Sequence, residues 1–223
     1  MKKESLILCD TNICIYRTLA LIDPPILPRE ELDKVLNLIA DLTNNNFGCK
    51  VLVTDIILNE LKDKEILFES VSDFCIRKLH WKRDSYKIQQ LARKAEKSID
   101  KFLDKRLIED EILEKIKNYR INLPRINNFY LRYPEKLKEL TANKIRYLKP
   151  FDMLKKIGSR PNNLPEENDR LLLCQAIEFS SLFEQDICIF SNDGDFKEFK
   201  NELLKELGIT IIDSDYQLSQ PDC

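Results

Sequence analysis

The sequence predicts an α/β fold built on a parallel sheet, and three observations predict it. Short, nearly continuous apolar runs recur at 5–10, 50–54, 186–190 and 209–213, as expected of strands buried on both faces. Helix-length segments with apolar residues at helical spacing separate them. Acidic side chains stand at strand ends or early in the following helices, on the edge where open parallel sheets bind ligands.

The elements follow in order. SLILCD (5–10) reads as a buried strand ending in a carboxylate. Residues 12–22 and 30–43 have helical spacing, the second through Leu32, Val35, Leu36, Leu38, Ile39 and Leu42. NNNFG (44–48) reads as loop and KVLVT (50–54) as the second strand. DIILNELKDK (55–64) continues as a helix, with Thr54 or Asp55 available as its cap. NDRLLLCQAIEFSSLF (168–183) is a strongly apolar helix that starts near Asn168 and Asp169. DICIF (186–190) is the third strand, GDFKEFKNELLKEL (194–207) a helix and ITIID (209–213) the fourth strand.

The alternation breaks between residues 75 and 163. No strand is recognisable there, and residues 85–118 read as one or two long charged helices. NLPRINNFYLRYPEK (122–136), with two prolines, reads as loop, followed by a helix over 135–148. GSRPNNLPEEN (158–168) leads back. The expected organisation is a core of residues 1–74 and 164–223 carrying an all-helical insertion, 75–163, between the second and third strands.

Charge marks the same division. Residues 77–160 hold 24 Lys and Arg against 11 Asp and Glu, whereas the remainder holds 12 against 27. A formal net charge of −2 thus conceals a basic insertion and an acidic body. Basic side chains suit phosphates, and Trp81, Tyr86, Tyr119, Phe129, Tyr130, Tyr133 and Tyr147 are interleaved with them. Trp81, Tyr86 and Tyr147 read as the insertion's own core. Phe129, Tyr130 and Tyr133 fit either a core or a platform for unpaired bases. The basic segment could equally dock on the acidic body.

Several function classes are excluded. The seven cysteines are odd in number, none is spaced C-x-x-C, and several lie in apolar segments, which suits a reduced compartment and not a zinc knuckle. A single histidine, His80, leaves a histidine-rich metal site or a Ser-His-Asp triad little to draw on. No run approaches a membrane span, and the start lacks the features of a signal peptide, so the expected compartment is the cytoplasm.

Asp10, Glu60, Asp169 and Asp193 share one setting, at or just past a strand end or within a helix start. Carboxylates brought together repel one another and take up protons. A hard divalent cation, Mg²⁺ or Mn²⁺, removes that cost, because it prefers oxygen ligands and can activate water. Read singly, a strand-terminal aspartate is also an ordinary cap, and NDGD an ordinary turn. NDGD is not an EF-hand loop, since placing Gly194 sixth would make Ile189 the first ligand.

DTN after a strand, TDIILNEL, NDRLLLCQAI and IFSNDGDF resemble, in this order, the motif blocks of PIN-domain nucleases. The resemblance covers roughly 4–64 and 165–213. It implies a PIN-like fold, with a central parallel sheet and an acidic Mg²⁺ or Mn²⁺ pocket. Asp10, Glu60, Asp169 and Asp193 match the family's acids; Asn12 matches the polar residue that orients the first, and Ser191 the hydroxyl before the last. Asp195 matches the following acid, which ligates metal, acts through water or holds the turn.

The function implied is a metal-dependent endoribonuclease acting on single-stranded or loop RNA and leaving 5′-phosphate and 3′-hydroxyl ends. By analogy with small members of the family, a toxin or anti-phage effector is the expected biological role. Alternatives are a structure-dependent or single-strand DNA nuclease, and a non-catalytic RNA-binding scaffold. The insertion, longer than the helical clip of toxin-type members, leaves open an inhibitory or activating protein partner and a homo-oligomer.

Overall fold

The computed structural model describes residues 5–22, 49–77, 86–102, 116, 118–145 and 164–213. Four strands, β1 (Ser5–Cys9), β2 (Cys49–Leu52), β3 (Ile187–Phe190) and β4 (Ile209–Ile212), form one sheet in the order β2-β1-β3-β4. Every pairing is parallel, with Leu8 opposite Leu52, Cys9 opposite Phe190, and Phe190 opposite Ile212. The strands therefore end nearly level. The ladder continues one step past them, through Asp10 N to Phe190 O at 3.0 Å and Ser191 N to Ile212 O at 2.9 Å. Asp10, Ser191 and Asp213 all emerge on this edge.

Helices cover the sheet. These are α1 (Thr11–Leu21), α2 (Asp55–Lys62), α3 (Lys64–Arg77), α4 (Tyr86–Phe102), α5 (Leu123–Leu131), α6 (Pro134–Ile145), α7 (Glu167–Phe183), α8 (Gly194–Lys197) and α9 (Lys200–Leu207). A short 3₁₀ turn, Tyr119–Asn122, leads into α5. In α7 the run Leu171–Ile177 is wholly buried, because β3, α2, α5 and the 3₁₀ turn surround the helix. That is why its sequence is apolar almost all round.

The segment read as a loop, 122–136, is helical instead. Pro124 lies in the first turn of α5, and Pro134 is the first residue of α6. At such positions a missing N–H costs nothing and the fixed φ favours the helix. The single helix expected over 194–207 is broken into α8 and α9 at Glu198–Phe199. The helix expected at 30–43 and the loop at 44–48 lie outside the described residues, as do His80, Trp81 and Tyr147.

The 75–163 segment adds Ile88, Leu91, Ala95, Ile126, Phe129, Tyr130 and Leu137 to the same buried core as the sheet. Phe129 and Tyr130 are fully buried, and both pack edge-on against Phe199, with Tyr130 4.9 Å away. Of the two readings open for Phe129 and Tyr130, core packing is the one the fold adopts. Tyr86, expected in a core, is instead 70% exposed.

Charge also joins this segment to the body. Arg132 pairs with Glu206 and Lys136 with Glu202, while Lys136 Nζ donates to Glu198 O at 3.0 Å. Part of the basic excess is therefore balanced by acids of α9.

Candidate active site

Asp10 leaves β1 in an extended conformation and caps α1, its Oδ1 accepting from Thr11 N at 2.7 Å. Its other oxygen, Oδ2, accepts from Asn12 Nδ2 at 2.7 Å and from the Ser191 hydroxyl at 2.5 Å. Asn12 also reaches across to the residues that follow β3, its Oδ1 accepting from Asn192 N at 3.2 Å. Thus the D-T-N run is held to the S-N-D run by side chains of both.

Asp193 is likewise a cap. Its carboxylate accepts from Asp195 N at 2.9 Å, while its own N–H donates to Ser191 Oγ at 2.9 Å. Gly194 gives room to α6, since a Cβ would stand 2.9 Å from Leu140 Cδ1 and that side chain would have to shift. Asp195 is buried, and its main-chain carbonyl accepts from the Tyr130 hydroxyl at 3.0 Å.

Glu60 comes from α2 and is held from two sides. Its Oε2 accepts from the Thr11 hydroxyl, and its Oε1 from Asn168 Nδ2 at 2.7 Å. A second amide–carboxylate bond, Gln175 Nε2 to Asp55 Oδ1 at 2.7 Å, joins the same two helices and aligns them antiparallel. Sequence reasoning gave Thr11 and Asn168 no role in the site. The signal was their adjacency to Asp10 and Asp169.

The electrostatics reflect crowding of acids. Burial, then the Asp193 carboxylate and more weakly Glu60, push the Asp10 pKa up to about 7, against the opposing bonds from Ser191 and Thr11. Glu60 is also raised, chiefly by burial, with Thr11 and Asn168 opposing and Glu166 and Asp193 adding to the shift. Asp169, at the start of α7, acts on Tyr130, whose hydroxyl is pushed well above its ordinary value first by burial and then by Asp195 and Asp169. Asp213, beyond β4, faces Lys197 at 3.7 Å and Lys200 at 3.9 Å.

Among the described residues, no three carboxylate, imidazole or thiol groups converge as a ready-made metal cage. The carboxylates of Asp10, Glu60 and Asp193 each accept from protein N–H or O–H donors. The thiol of Cys9, next to Asp10, is raised to about 12, first by burial, so it is not a thiolate nucleophile at neutral pH. No protein-family model, curated protein or solved structure matches the chain. Among the described residues, no helix is long and apolar enough to cross a membrane.

Proposed function

We propose that the chain is a Mg²⁺- or Mn²⁺-dependent endoribonuclease of the PIN-like class. The observation that carries this reading is the burial of Asp10 beside Glu60 and Asp193 where β1 and β3 end, with the Asp10 pKa displaced to about 7. Such a set has the chemistry a hard cation fits: oxygen donors only, and an excess of negative charge. Asp10, Glu60 and Asp193 would hold the ion, with Asp169 completing the set. When bound, the ion supplies an activated water and neutralises charge on the phosphodiester.

The chain itself supplies orientation. Ser191 and Asn12 fix one oxygen of Asp10, and Thr11 fixes the other through its N–H. Thr11 and Asn168 hold the two oxygens of Glu60, and the Asp195 N–H holds Asp193. Neutral donors of this kind set carboxylate direction without competing for the cation's charge. Single-stranded or loop RNA is the proposed substrate.

The test is cleavage of labelled RNA and DNA of equal sequence by the purified chain in Mn²⁺. RNA cutting that stops in EDTA and falls about 100-fold or more in Asp10→Asn and Asp193→Asn is expected. Cutting that persists in excess EDTA, or is undiminished in Asp10→Asn and Asp169→Asn, sinks the metal mechanism. Preferential cutting of DNA replaces RNA with DNA as the substrate.

A further inference from the structure

A cleft of about 250 Å³ opens between α3 and α4, well apart in composition from the acidic pocket. Lys64, Leu67 and Phe68 line it from α3, and Gln89, Arg93 and Glu96 from α4. The Lys64–Glu96 ion pair, 2.6 Å long, joins the two helices there. Phe68 is 39% exposed, an aromatic ring left in contact with water where Leu67 and Ala92 also line the cleft. Below the roughly 300–1,000 Å³ of drug-sized sites, the space suits one flat ring system.

Bases outnumber acids on α4, where Lys87, Arg93, Lys94, Lys97 and Lys101 stand against Glu96 and Asp100, whereas α3 carries Glu65, Glu69 and Asp73 against Lys64 and Arg77. Tyr86 lies three residues before Gln89 and seven before Arg93, on the same helix face, and is exposed at the start of α4. Lys94 and Lys97 are exposed along the neighbouring stripe. On α5 and α6, Arg132 and Lys136 are engaged by Glu206 and Glu202, as Lys64 is by Glu96 at the cleft.

Position completes the argument. Lys64 follows Glu60 by four residues, across the single junction residue Asp63. Their backbones are therefore no more than about 14 Å apart, a few nucleotides of extended strand.

We propose that the α3/α4 cleft is a nucleotide subsite, which takes one unstacked base of a single-stranded nucleic acid beside the acidic pocket. Phe68 stacks on the base, the Gln89 amide bonds its edge, and Arg93 and Lys64 meet the flanking phosphates. Glu96 is compensated by Lys64 and accepts from an exocyclic amino group. This assignment rests on the nuclease reading for its choice of ligand, and it names where the strand is gripped.

The experiment uses the full chain, an RNA oligonucleotide carrying 4-thiouridine, and EDTA to prevent cutting. Photocrosslinks are expected within 64–77 or 86–102. Phe68→Ala is expected to weaken RNA binding about tenfold. Arg93→Ala, at an exposed position, is expected to weaken it and to reduce the log–log salt slope by about 0.7. Thermal melts of both variants separate lost binding from lost fold.

Crosslinks confined to other segments, or unchanged affinity in both variants, overturn the subsite. So does displacement of the RNA by an acidic polypeptide as readily as by unlabelled RNA. Mn²⁺-dependent cleavage by the wild-type chain is recorded in parallel. Crosslinking at the cleft without cleavage overturns the nuclease reading and leaves the subsite standing, whereas cleavage without crosslinking there overturns the subsite alone.

Discussion

The hydroxyl of Tyr130 donates to the main-chain carbonyl of Asp195 at 3.0 Å, across 65 residues of sequence. Tyr130 belongs to α5 and Asp195 to α8, which Asp193 caps, so one buried bond ties α5 to the residues that follow β3. Since the hydroxyl pKa is raised well above its ordinary value, it remains a donor throughout the accessible pH range.

Removing that donor isolates its contribution. Tyr130→Phe keeps the ring against Phe199 and leaves a buried carbonyl short of one partner, which costs about 1–2 kcal/mol. Urea unfolding should show that loss, and Mn²⁺ titration a weaker site, because the turn holding Asp193 is less constrained. Tyr130→Ala also opens a cavity beneath Phe199 and should cost about 3–5 kcal/mol. Equal Mn²⁺ affinity in Tyr130→Phe and wild type would show that the bond serves stability alone.

Asn168 is the next test of positioning. It holds Glu60 Oε1 at 2.7 Å, the only hydrogen bond drawn to that oxygen among the described residues. Asn168→Ala is expected to lower Mn²⁺ affinity or cleavage about 10- to 100-fold, the usual effect of losing an orienting partner. Asn168→Asp should be worse, since it places a third carboxylate beside Glu60 and Asp169. Isothermal titration with Mn²⁺ and cleavage rates for the two variants would distinguish lost orientation from added charge.

Asp10 makes stability depend on pH in a stated direction. Its ordinary pKa of 3.8 rises to about 7 in the folded chain, first by burial and then through Asp193. Between about pH 4 and 7 the folded state keeps a proton that the unfolded state has released. Stability of the metal-free protein therefore falls as pH rises through that window, by on the order of 4 kcal/mol at the upper end. Glu60, also raised, adds in the same direction. Melts in EDTA from pH 5 to pH 8 should show the decline, Asp10→Asn should flatten it, and Mn²⁺ should offset it by binding the ionised form. A flat profile for the wild type would refute the account.

What could be read from the sequence depended on the range of the interaction. The four strands were legible because SLILC, CKVL, ICIF and ITII are apolar at every position or nearly so, which only a sheet covered on both faces requires. Asp10 and Asp193 were legible as strand-end acids. The helix over 123–131 was not, because Pro124 and the asparagines Asn127 and Asn128 resemble a loop until Pro124 is known to sit in a first turn. The burial of Phe129 and Tyr130 was undecided, since nothing local says that Phe199 lies opposite them. Thr11 and Asn168 were missed as holders of Glu60, since they meet it across 49 and 108 residues.

Two helix ends provide a stability test remote from the site. Helix α7 ends at Glu184 with φ of 50°, and α9 ends at Gly208 with φ of 70°. Both are left-handed C-caps, but only one has the residue that adopts this conformation without a steric penalty. Glu184→Gly should therefore stabilise the chain by about 1 kcal/mol, or roughly 2–4 °C in Tm for a chain of this size. Gly208→Ala should destabilise it by a similar amount, and for backbone reasons alone, since no atom lies within 4 Å of the added methyl. Neither change touches the acids, so cleavage per folded molecule should not move. Differential scanning calorimetry of the two variants, with cleavage assayed well below Tm, checks both halves of the prediction.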